Sequence, residues 1–454
     1  MTLKTQKVVN KVRKHHKSGV EVEYFLIDKK GKISNTAPEV IKNVKKLDPA
    51  LAIVPEVGMN MIEINSEPET IIPELMNKMI SDMEKIVSVA ESSGLALYPF
   101  GTYPGKYTPV RTNDKRYEIK EKILGKKRFM SAMQCAGVHI HFSLPWGVFD
   151  SKNKTIKTMP SDSKYKEAMI NTYNFYIAAD PALATFAQSS PFFQGEYLAK
   201  DSRMVMYRSG AIKNPDSLYA NFPEHGSLPR YILTNTDMVH AIENRFADWV
   251  GILNKIKEKA RNFFKSKSML DTTWSPVRIN AHGTTESRTM DANLPSVILA
   301  LVIIMKFVSK HLQENFIKVK ISDTAIDSPF VLKDGELIVP PDSHVINKLQ
   351  VQSAYKGMED QQVYEYCSAF LKLGESLVPD DRKHFLDPLR KMLTERKTVS
   401  DLIVLKAIEL GWRKGEILDP TLAANIALSS YQDFLTDIDS CKNTTEKYMK
   451  ESKQ

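Results

Sequence analysis

Two glutamates at alternate positions of an apolar run constrain this chain more than any other feature. The run GVEVEYFLID, residues 19–28, is rich in β-branched and aromatic residues and ends at a lysine- and glycine-rich turn, which predicts a strand. Side chains alternate between the faces of a strand, so Glu21 and Glu23 share one face, roughly 7 Å apart. Carboxylates that close repel each other unless a cation or hydrogen-bond donors compensate them. A divalent cation is one such partner, and a solvated strand face is the simpler alternative.

A second predicted strand, residues 61–65, carries Glu63 on its polar face. Glu56 lies seven positions earlier, an odd offset that would turn its side chain to the opposite face of an unbroken strand. Gly58 lies between the two glutamates, and we expect it to supply a bend or bulge that returns Glu56 to the polar face. Without such a bend, Glu56 would not belong to a shared site.

Two further predicted strands carry ionisable side chains in the same alternating pattern. In GVHIHFS, residues 137–143, His139 and His141 share one face and would be either ligands and phosphate contacts or ordinary core histidines. In residues 277–291, Glu286 and Arg288 share a face, and Arg278 lies upstream. A surface ion pair is the simple account of Glu286 and Arg288. The presence of four such strands favours a common site instead.

Charge is unevenly distributed along the chain. The 454 residues include 63 Lys and Arg against 54 Asp and Glu, a formal net charge of +9. Residues 1–17 contain six Lys or Arg residues and no acid, and we treat them as a basic N-terminal segment. This segment is either a nucleic-acid-binding arm or a solvated helix or terminus. The remaining positive charge would suit an anionic substrate such as a nucleotide.

Cysteine usage and hydropathy exclude several classes of protein. Three widely separated cysteines without a Cys-x-x-Cys pair exclude a disulfide framework and a cysteine zinc cluster. They fit a reducing cytosol, and the first residues lack the apolar core of a signal peptide, so we expect a cytoplasmic protein. The longest apolar run, residues 297–308, is interrupted by Lys306 and is too short to span a bilayer. It predicts a buried helix and no membrane partner.

The rest of the chain is predicted to be mainly helical. Helices are predicted over residues 38–47, 73–93, 116–130, 165–188, 237–264, from 295, and over 350–373, 381–393, 399–410 and 420–449, with a small hairpin at 331–339. Residues 192–230 form a polar segment interrupted by Gly and Pro that contains Arg203, Arg208, His225 and Arg230. This segment is either a substrate-binding loop or a solvated one.

Together, the four strands resemble the glutamate–cysteine ligase and carboxylate–amine ligase family, whose catalytic fold is similar to that of glutamine synthetase and the guanidino kinases. GVEVE at 19–23 resembles the family's opening G-x-E-x-E strand, and Glu56 and Glu63 match its pair of acids seven positions apart. GVHIHFS at 137–143 resembles its G-x-H-x-H strand, and GTTESR at 283–288 resembles its G-T-x-E-x-R strand. The matches occur in the family's order, from about residue 18 to about residue 310.

The resemblance implies an α+β fold in which a curved antiparallel sheet, flanked by helices, forms an active-site funnel. We expect a catalytic domain over residues 18–345, with helical insertions, and a helical C-terminal region over residues 346–454 packed on it. The resemblance also implies ATP as co-substrate and two or three bound Mg²⁺ (or Mn²⁺) ions. By residue-wise transfer, the metal ligands would be Glu21, Glu23, Glu56, Glu63, His139 and Glu286. Arg288 would act on the transferred phosphate, and Arg278 would contact nucleotide or substrate. His141 and Arg203 are further candidates for cofactor binding.

The implied reaction is ATP-dependent ligation of a carboxylate to an amine through an acyl phosphate, with the γ-carboxyl of glutamate and the amine of cysteine as expected substrates. This chemistry needs positioning and charge neutralisation rather than a protein nucleophile. The alternatives are a phosphotransferase of guanidino-kinase type on the same fold and a non-catalytic protein that binds nucleic acid through its basic N-terminus. The expected partners are small molecules (ATP, an amino-acid carboxylate and an amine) and not nucleic acid. A homo-oligomer is compatible with the sequence.

Overall fold

A seven-stranded antiparallel sheet organises the chain. The computed structural model describes residues 16–157, 160, 162–264, 268–272 and 274–452. Its strands are β1 (Ser18–Asp28), β2 (Ile53–Pro55), β3 (Met61–Asn65), β4 (Leu95–Tyr98), β5 (Gly137–Ser143), β6 (Phe149–Asp150), β7 (Thr155–Ile156), β8 (Phe192–Phe193), β9 (Glu196–Tyr197), β10 (Val277–Ile279), β11 (Thr284–Asp291), β12 (Lys318–Ile321), β13 (Val331–Lys333) and β14 (Glu336–Val339). The large sheet has the order β10-β11-β5-β1-β3-β2, and β4 also pairs with β1. All pairings in it are antiparallel, as predicted.

Helices surround this sheet and make up most of the second half of the chain. They are α1 (Ala37–Leu47), α2 (Ile72–Ser92), α3 (Lys115–Leu124), α4 (Lys126–Phe129), α5 (Lys164–Ala187), α6 (Ser202–Tyr207), α7 (Pro223–Gly226), α8 (Asn235–Lys255), α9 (Ala260–Phe263), α10 (Pro295–Glu314), α11 (Asp342–His344), α12 (Gln350–Lys356), α13 (Gln361–Leu377), α14 (Asp387–Glu395), α15 (Val399–Glu409) and α16 (Pro420–Glu451). A π-helical turn, Val345–Leu349, joins α11 to α12. Short 3₁₀ turns are Met130–Met133, Met269–Thr272, Asp323–Ile326, Gly357–Glu359 and Asp380–Leu386. The predicted α+β class is confirmed.

Most predicted helices are confirmed, and the differences lie where the backbone breaks. The helix predicted over 237–264 ends at Lys255, and Lys257 then adopts a positive φ of 59°. The helix predicted over 350–373 is divided at Gly357, whose φ of 55° ends α12. The segment 192–230, predicted to be a loop, contains the β8–β9 hairpin and α6. Seven short strands were not predicted, because segments of two to four residues are too short to establish a period; they are β2, β4, β6, β7, β8, β9 and β12.

The two faces of β1 have different surroundings. Val20, Val22 and Tyr24 are buried, with at most 1% of their surface exposed. The Tyr24 ring packs edge-on against Phe434 of α16, with ring centroids 5.0 Å apart, and its hydroxyl donates a hydrogen bond to the Asn293 carbonyl at 3.2 Å. Helices therefore cover the apolar face, and the face that carries the glutamates remains for a site.

The basic segment predicted for residues 1–17 lies outside the described residues up to position 15. His16 itself is buried, stacks on Phe142 and accepts a 2.6 Å hydrogen bond from Lys306 at its backbone carbonyl. Lys306 belongs to α10, which is long and apolar enough to cross a membrane by length and composition alone. Because 78% of its most apolar stretch is buried inside the protein, α10 is a core helix, as predicted.

The C-terminal helices share one hydrophobic core with the sheet. Helix α16 packs along α2 and β4, and α13 packs against α5 and α10. Buried side chains from β1 to α16 form one continuous cluster. The proposed domain boundary at residue 345 stays a prediction, because this core crosses it.

Candidate active site

Strand pairing brings predicted site residues from four strands together. Arg278 of β10 lies opposite Glu286 of β11, and Glu286 in turn lies opposite His141 of β5. His139, two residues earlier on β5, lies opposite Glu21 of β1. Residues directly opposite each other in an antiparallel pair have neighbouring side chains on one face. These five side chains therefore form two adjacent rows on the same face of the sheet.

Glu56 joins this face through a hairpin whose turn contains Gly58. Glu23 lies opposite Glu63 of β3, while β2 and β3 form an antiparallel pair. Glu56 directly follows β2, so the chain reverses direction between Glu56 and Glu63 and the odd offset has no consequence. The bend predicted at Gly58 is therefore present as the turn between two strands, where the Met61 N–H donates to the Gly58 carbonyl at 3.2 Å, and not as a kink or bulge within one strand. Glu23, Glu56 and Glu63 nevertheless offer ligand oxygens within 4.8 Å of one another.

Glu286 is fully buried and binds two guanidinium groups. Arg278 donates to it through Nε at 2.6 Å and Nη2 at 3.1 Å, Arg288 through Nη1 at 2.7 Å, and the Asn280 amide at 2.8 Å. Burial favours its protonated form, but neighbouring cationic groups, Arg278 first among them, hold the pKa of Glu286 well below its usual value. The β11–β5 pairing is irregular between Ser287 and Met290, and Nη1 of Arg288 lies 3.3 Å from Nδ1 of His139. This burial excludes a surface ion pair.

Two histidines flank Glu21. Nδ1 of His139 lies 2.8 Å from Oε2 of Glu21, and Nε2 of His141 lies 3.3 Å from Oε1. Burial, assisted by the charge of Arg288, lowers the pKa of His139 to about 4, so this ring is neutral at neutral pH. Burial opposes protonation of His141, but the charges of Glu286 and Glu21 raise its pKa. Burial would likewise raise the pKa of Glu21, yet hydrogen bonds with both histidines hold it well below its usual value.

Two other acids of the site, Glu23 and Glu63, have raised pKa values. Burial, together with the charge of Glu56, raises the pKa of Glu23 to about 8, although Arg203 opposes this rise. Burial and the charges of Glu56, Glu21 and Glu23 raise the pKa of Glu63 well above its usual value. Burial and repulsion between closely spaced acids both favour the protonated form of a carboxylate, whereas a divalent cation would favour its charged form.

Arg203 lies on helix α6 and donates hydrogen bonds to the backbone of β11. Its Nη1 and Nη2 donate hydrogen bonds to the backbone carbonyls of Thr289 at 3.1 Å and Arg288 at 3.3 Å. Its guanidinium also lies 5.3 Å from the ring centroid of Tyr207. These contacts hold the backbone that carries Arg288.

A buried ion pair, absent from the predicted site, supports the same part of β11. Arg208 donates to both carboxylate oxygens of Asp180 at 2.7 and 2.8 Å and to the Gln350 side chain at 2.6 Å. The hydroxyl of Thr289 donates to the same Asp180 carboxylate. These side chains come from four separate segments, so no local sequence pattern predicts the cluster.

The site opens onto a cavity of about 510 Å³. The predicted site residues in its walls are Glu21, Glu23, Glu56, Glu63, His139, Arg203, Arg278 and Arg288. His141 and Glu286 do not line the cavity; they contact it through Glu21 and the two arginines. Side chains that the sequence analysis did not assign to the site also line it: Arg116, Tyr117, Lys120, Tyr219 and Trp274. Arg116, Tyr117 and Lys120 lie in the charged helix predicted at residues 116–130, and Tyr219 lies in the segment 192–230, for which a substrate-binding loop was one alternative.

About two thirds of the chain match a known protein family. A family model described as glutamate-cysteine ligase family 2 matches residues 17–315, a stretch that contains every predicted site residue. The chain belongs to glutamate-cysteine ligase family 2.

Relatives in this family are distant. A provisionally named glutamate–cysteine ligase 2 of Clavibacter michiganensis is 24% identical over 183 residues, which are 39% of this chain and 42% of the relative. Another, from Paracoccus denitrificans, is 24% identical over 215 residues, which are 47% of this chain and 48% of the relative. The chain thus spans less than half the length of these curated relatives.

Two crystal structures of similar architecture extend the comparison to nearly the whole chain. Glutamate–cysteine ligase of Francisella tularensis, in complex with AMP, has a TM-score of 0.59 at 12% identity and covers 97% of this chain and 94% of its own. A bifunctional glutathione synthetase of Pasteurella multocida has a TM-score of 0.57 at 14% identity, with coverage of 95% and 54%. At this identity the likeness shows a shared fold.

The donor set of this member of glutamate-cysteine ligase family 2 fits hard divalent cations. Three ligand groups, each with donor atoms within 4.8 Å of one another, are Glu21–His141–Glu286, Glu21–Glu63–His139 and Glu23–Glu56–Glu63. Adjacent groups share Glu21 or Glu63, so the ligand atoms form one continuous series. The buried Nε2 of His139 has no hydrogen-bond partner within the described part of the chain. Mainly carboxylate oxygens suit Mg²⁺ or Mn²⁺ better than zinc.

Proposed function

We propose that this protein is an ATP-dependent carboxylate–amine ligase that forms an amide through an acyl phosphate, with the γ-carboxyl of glutamate and the amine of cysteine as substrates. The observation that carries the proposal is the overlap of three carboxylate and histidine ligand groups beside two arginines at one cavity. Membership of glutamate-cysteine ligase family 2 and the fold shared with a glutamate–cysteine ligase support it.

The proposed metal ligands are the acids and the histidine of the three groups. For Mg²⁺ or Mn²⁺ they are Glu21, Glu23, Glu56, Glu63, His139 and Glu286. Such cations supply neutralisation of the charge on the β- and γ-phosphates of ATP. The raised pKa values of Glu23 and Glu63 support this assignment, because a nearby divalent cation would offset both the burial and the repulsion that raise them.

Arg288 is proposed to act on the transferred phosphate. Its side chain is 26% exposed, lines the cavity and is oriented by Glu286 at 2.7 Å. A planar guanidinium can hold two phosphate oxygens at once. Arg278, bound to the same carboxylate, is proposed to contact nucleotide or substrate. For Arg203 and His141 the contacts favour positioning of Arg288 and Glu21 over direct contact with the nucleotide.

The proposed reaction has two steps. A carboxylate oxygen of the acid attacks the γ-phosphorus of ATP, the bond from that phosphorus to the β–γ bridging oxygen breaks, and ADP leaves. The amine nitrogen then attacks the carbonyl carbon of the acyl phosphate, phosphate leaves with the electrons of the C–O bond, and the nitrogen loses a proton. Neither step requires a protein nucleophile, so the cavity residues need only orient the reactants and stabilise charge.

ADP release measured over a panel of acids and amines tests the proposal. Release should require an acid and an amine together, and mass spectrometry should detect γ-glutamylcysteine with the expected pair. Glu63→Gln should abolish release, whereas Glu336→Gln, which removes an exposed partner of Lys320, should leave it unchanged. ADP release at full rate without any amine would instead favour a phosphotransferase or a simple ATPase.

The proposal also places the protein in a reducing, cytoplasmic environment. Cys135, Cys367 and Cys441 are buried and unpaired, and burial raises the pKa of each thiol. Such thiols are protected from oxidation, and a thiol substrate also needs a reducing compartment to stay reactive.

A further inference from the structure

Helix α3 supplies two cations to the cavity from a single face. Arg116 and Lys120 are four residues apart, a spacing that places both side chains on the same side of a helix. Both line the cavity. The opposite face carries Lys115, Glu118 and Lys122, which form exposed ion pairs with each other and with Glu258 outside the cavity.

Aromatic rings hold these two cations in place. Nζ of Lys120 lies 3.7 Å from the ring centroid of Trp274 and 5.6 Å from that of Tyr117. The guanidinium carbon of Arg116 lies 5.2 Å from the Tyr117 ring centroid. Tyr219, whose ring centroid is 5.8 Å from that of Trp274, continues the wall. Cation–π contacts orient a cation but leave its charge available to an anion.

Neither cation has a carboxylate partner among the described residues. Across the described ranges, no acidic group lies within 4.0 Å of the side-chain nitrogens of Arg116 or Lys120, and the buried Nε of Arg116 has no hydrogen-bond partner. Arg278 and Arg288, in contrast, already share Glu286. Burial, followed by the charge of Arg116, lowers the pKa of Lys120 well below its usual value, although the charge of Glu56 opposes this shift.

We propose that Arg116 and Lys120 form a carboxylate-binding subsite that holds the substrate carboxylate that does not react. This inference rests on the proposed function and adds a substrate class to it. One carboxyl of the acid would be phosphorylated beside Arg288, and a dicarboxylic amino acid brings a second negative charge that the cavity must also neutralise. The α3 face offers unpaired cations for that charge, with aromatic walls beside them for the intervening apolar carbons.

Two substrate groups share this chemistry: the α-carboxylate of glutamate and the carboxylate of cysteine. Decarboxylated analogues separate them, because 4-aminobutyrate lacks only the first and cysteamine lacks only the second. We expect wild-type protein to discriminate strongly against one of these analogues.

The test compares Lys120→Gln and Arg116→Gln with wild type and with Lys122→Gln. The control makes the same change on the solvent face of the same helix. Loss of one charge-assisted hydrogen bond should raise KM for the substrate that carries the bound carboxylate by roughly 10- to 100-fold, and leave KM for its decarboxylated analogue unchanged. Lys122→Gln should change neither value. Lys120→Arg keeps the charge and should restore most of the lost affinity.

The pattern of losses identifies the occupant. A selective loss with glutamate assigns the subsite to the acid, and a selective loss with cysteine assigns it to the amine. Equal losses with a substrate and its analogue, or a change confined to KM for ATP, would overturn the subsite. Circular dichroism melts show whether each variant is folded.

Calorimetric titration with glutamate and with cysteine separates this inference from the proposed function, because it does not require turnover. Wild-type protein that releases no ADP with any acid and amine would refute the ligase assignment, and the titrations would still decide the subsite. Active wild-type protein with unchanged KM and Kd values in Lys120→Gln and Arg116→Gln would reject the subsite alone.

Discussion

Replacing Glu286 with Gln is the most informative single change in the site. The carboxylate accepts three hydrogen bonds from Arg278 and Arg288 and one from Asn280. Gln keeps the size but has one acceptor oxygen, and its amide group would face a guanidinium. The variant should therefore lose both the ion pairs of β10 and β11 and one proposed metal ligand.

The expected loss of folding stability follows from the burial of Glu286 and its two arginine partners. Removing one partner of a buried ion pair costs about 3–5 kcal/mol, because a buried charge is left uncompensated. The Glu286 carboxylate has no exposed surface, but the Arg278 and Arg288 side chains are 17% and 26% exposed, so water can partly solvate them. We therefore expect a loss near the lower limit, about 3 kcal/mol.

The full loss of about 3 kcal/mol should be measurable at pH 7. Because the folded-state pKa of Glu286 is lowered, its stabilising contribution is present above the unfolded-state pKa and disappears only as pH falls through the folded value. Urea unfolding at pH 7 measures this contribution. The matched control is Glu336→Gln, whose exposed pair with Lys320 should contribute at most about 1 kcal/mol.

Unfolding with and without MnCl₂ separates the anchoring role of Glu286 from its metal-binding role. A cation at 100 times its Kd stabilises the folded state by about 2.7 kcal/mol, and Glu286→Gln should reduce that gain as well as the metal-free stability. Arg288→Lys keeps the charge but loses the planar fork, so its deficit should lie mainly in kcat. If Glu286→Gln loses less than about 1 kcal/mol and keeps its metal dependence, the argument from burial is refuted.

Three further predictions concern the metal, the β2–β3 hairpin and pH. Excess chelator should abolish turnover, and added Mn²⁺ should restore it, because the proposed ligands are mainly carboxylate oxygens. Gly58→Val should weaken metal binding measured by calorimetry, because a Cβ at position 58 would lie 2.2 Å from Oδ1 of Asn60 and displace the connection that carries Glu56. The metal-free protein should lose stability as pH rises from about 4.5 to about 8, because Glu23 keeps its proton longer in the folded state than in the unfolded state. Glu23→Gln should remove this contribution in urea unfolding at several pH values.

Each of these predictions has a control or a contrary result. Full activity in excess chelator would remove the metal from the mechanism. Gly251→Ala places a Cβ where no heavy atom lies within 4 Å and should leave metal binding unchanged. If Gly58→Val binds metal with wild-type affinity, either Glu56 is not a ligand or the connection at Gly58 does not determine the position of Glu56. A pH profile of stability that is identical in wild type and Glu23→Gln would contradict the raised pKa.

Local alternation allowed the strands of the site to be predicted from the sequence. Period-two placement of Glu21 and Glu23 on β1, and of His139 and His141 on β5, depends only on strand geometry, which the residues themselves specify. The same local rule identified most helices by their apolar periodicity. The sequence could not supply the register between strands, which paired His139 with Glu21 and Glu286 with His141.

Tertiary structure decided every feature that depends on contacts between distant segments. Glu56 reached the site through a hairpin. Because β2 pairs with β3, Glu56 and Glu63 are brought together across the hairpin although they are seven positions apart in the sequence. Burial of Glu286 beneath two arginines, and the placement of Arg116 and Lys120 at the same cavity as the acidic strands, follow from packing among separate elements. Solvent exposure and electrostatic environment are properties of the assembled fold, so residue spacing along the chain could identify the ionisable groups but not their charge states.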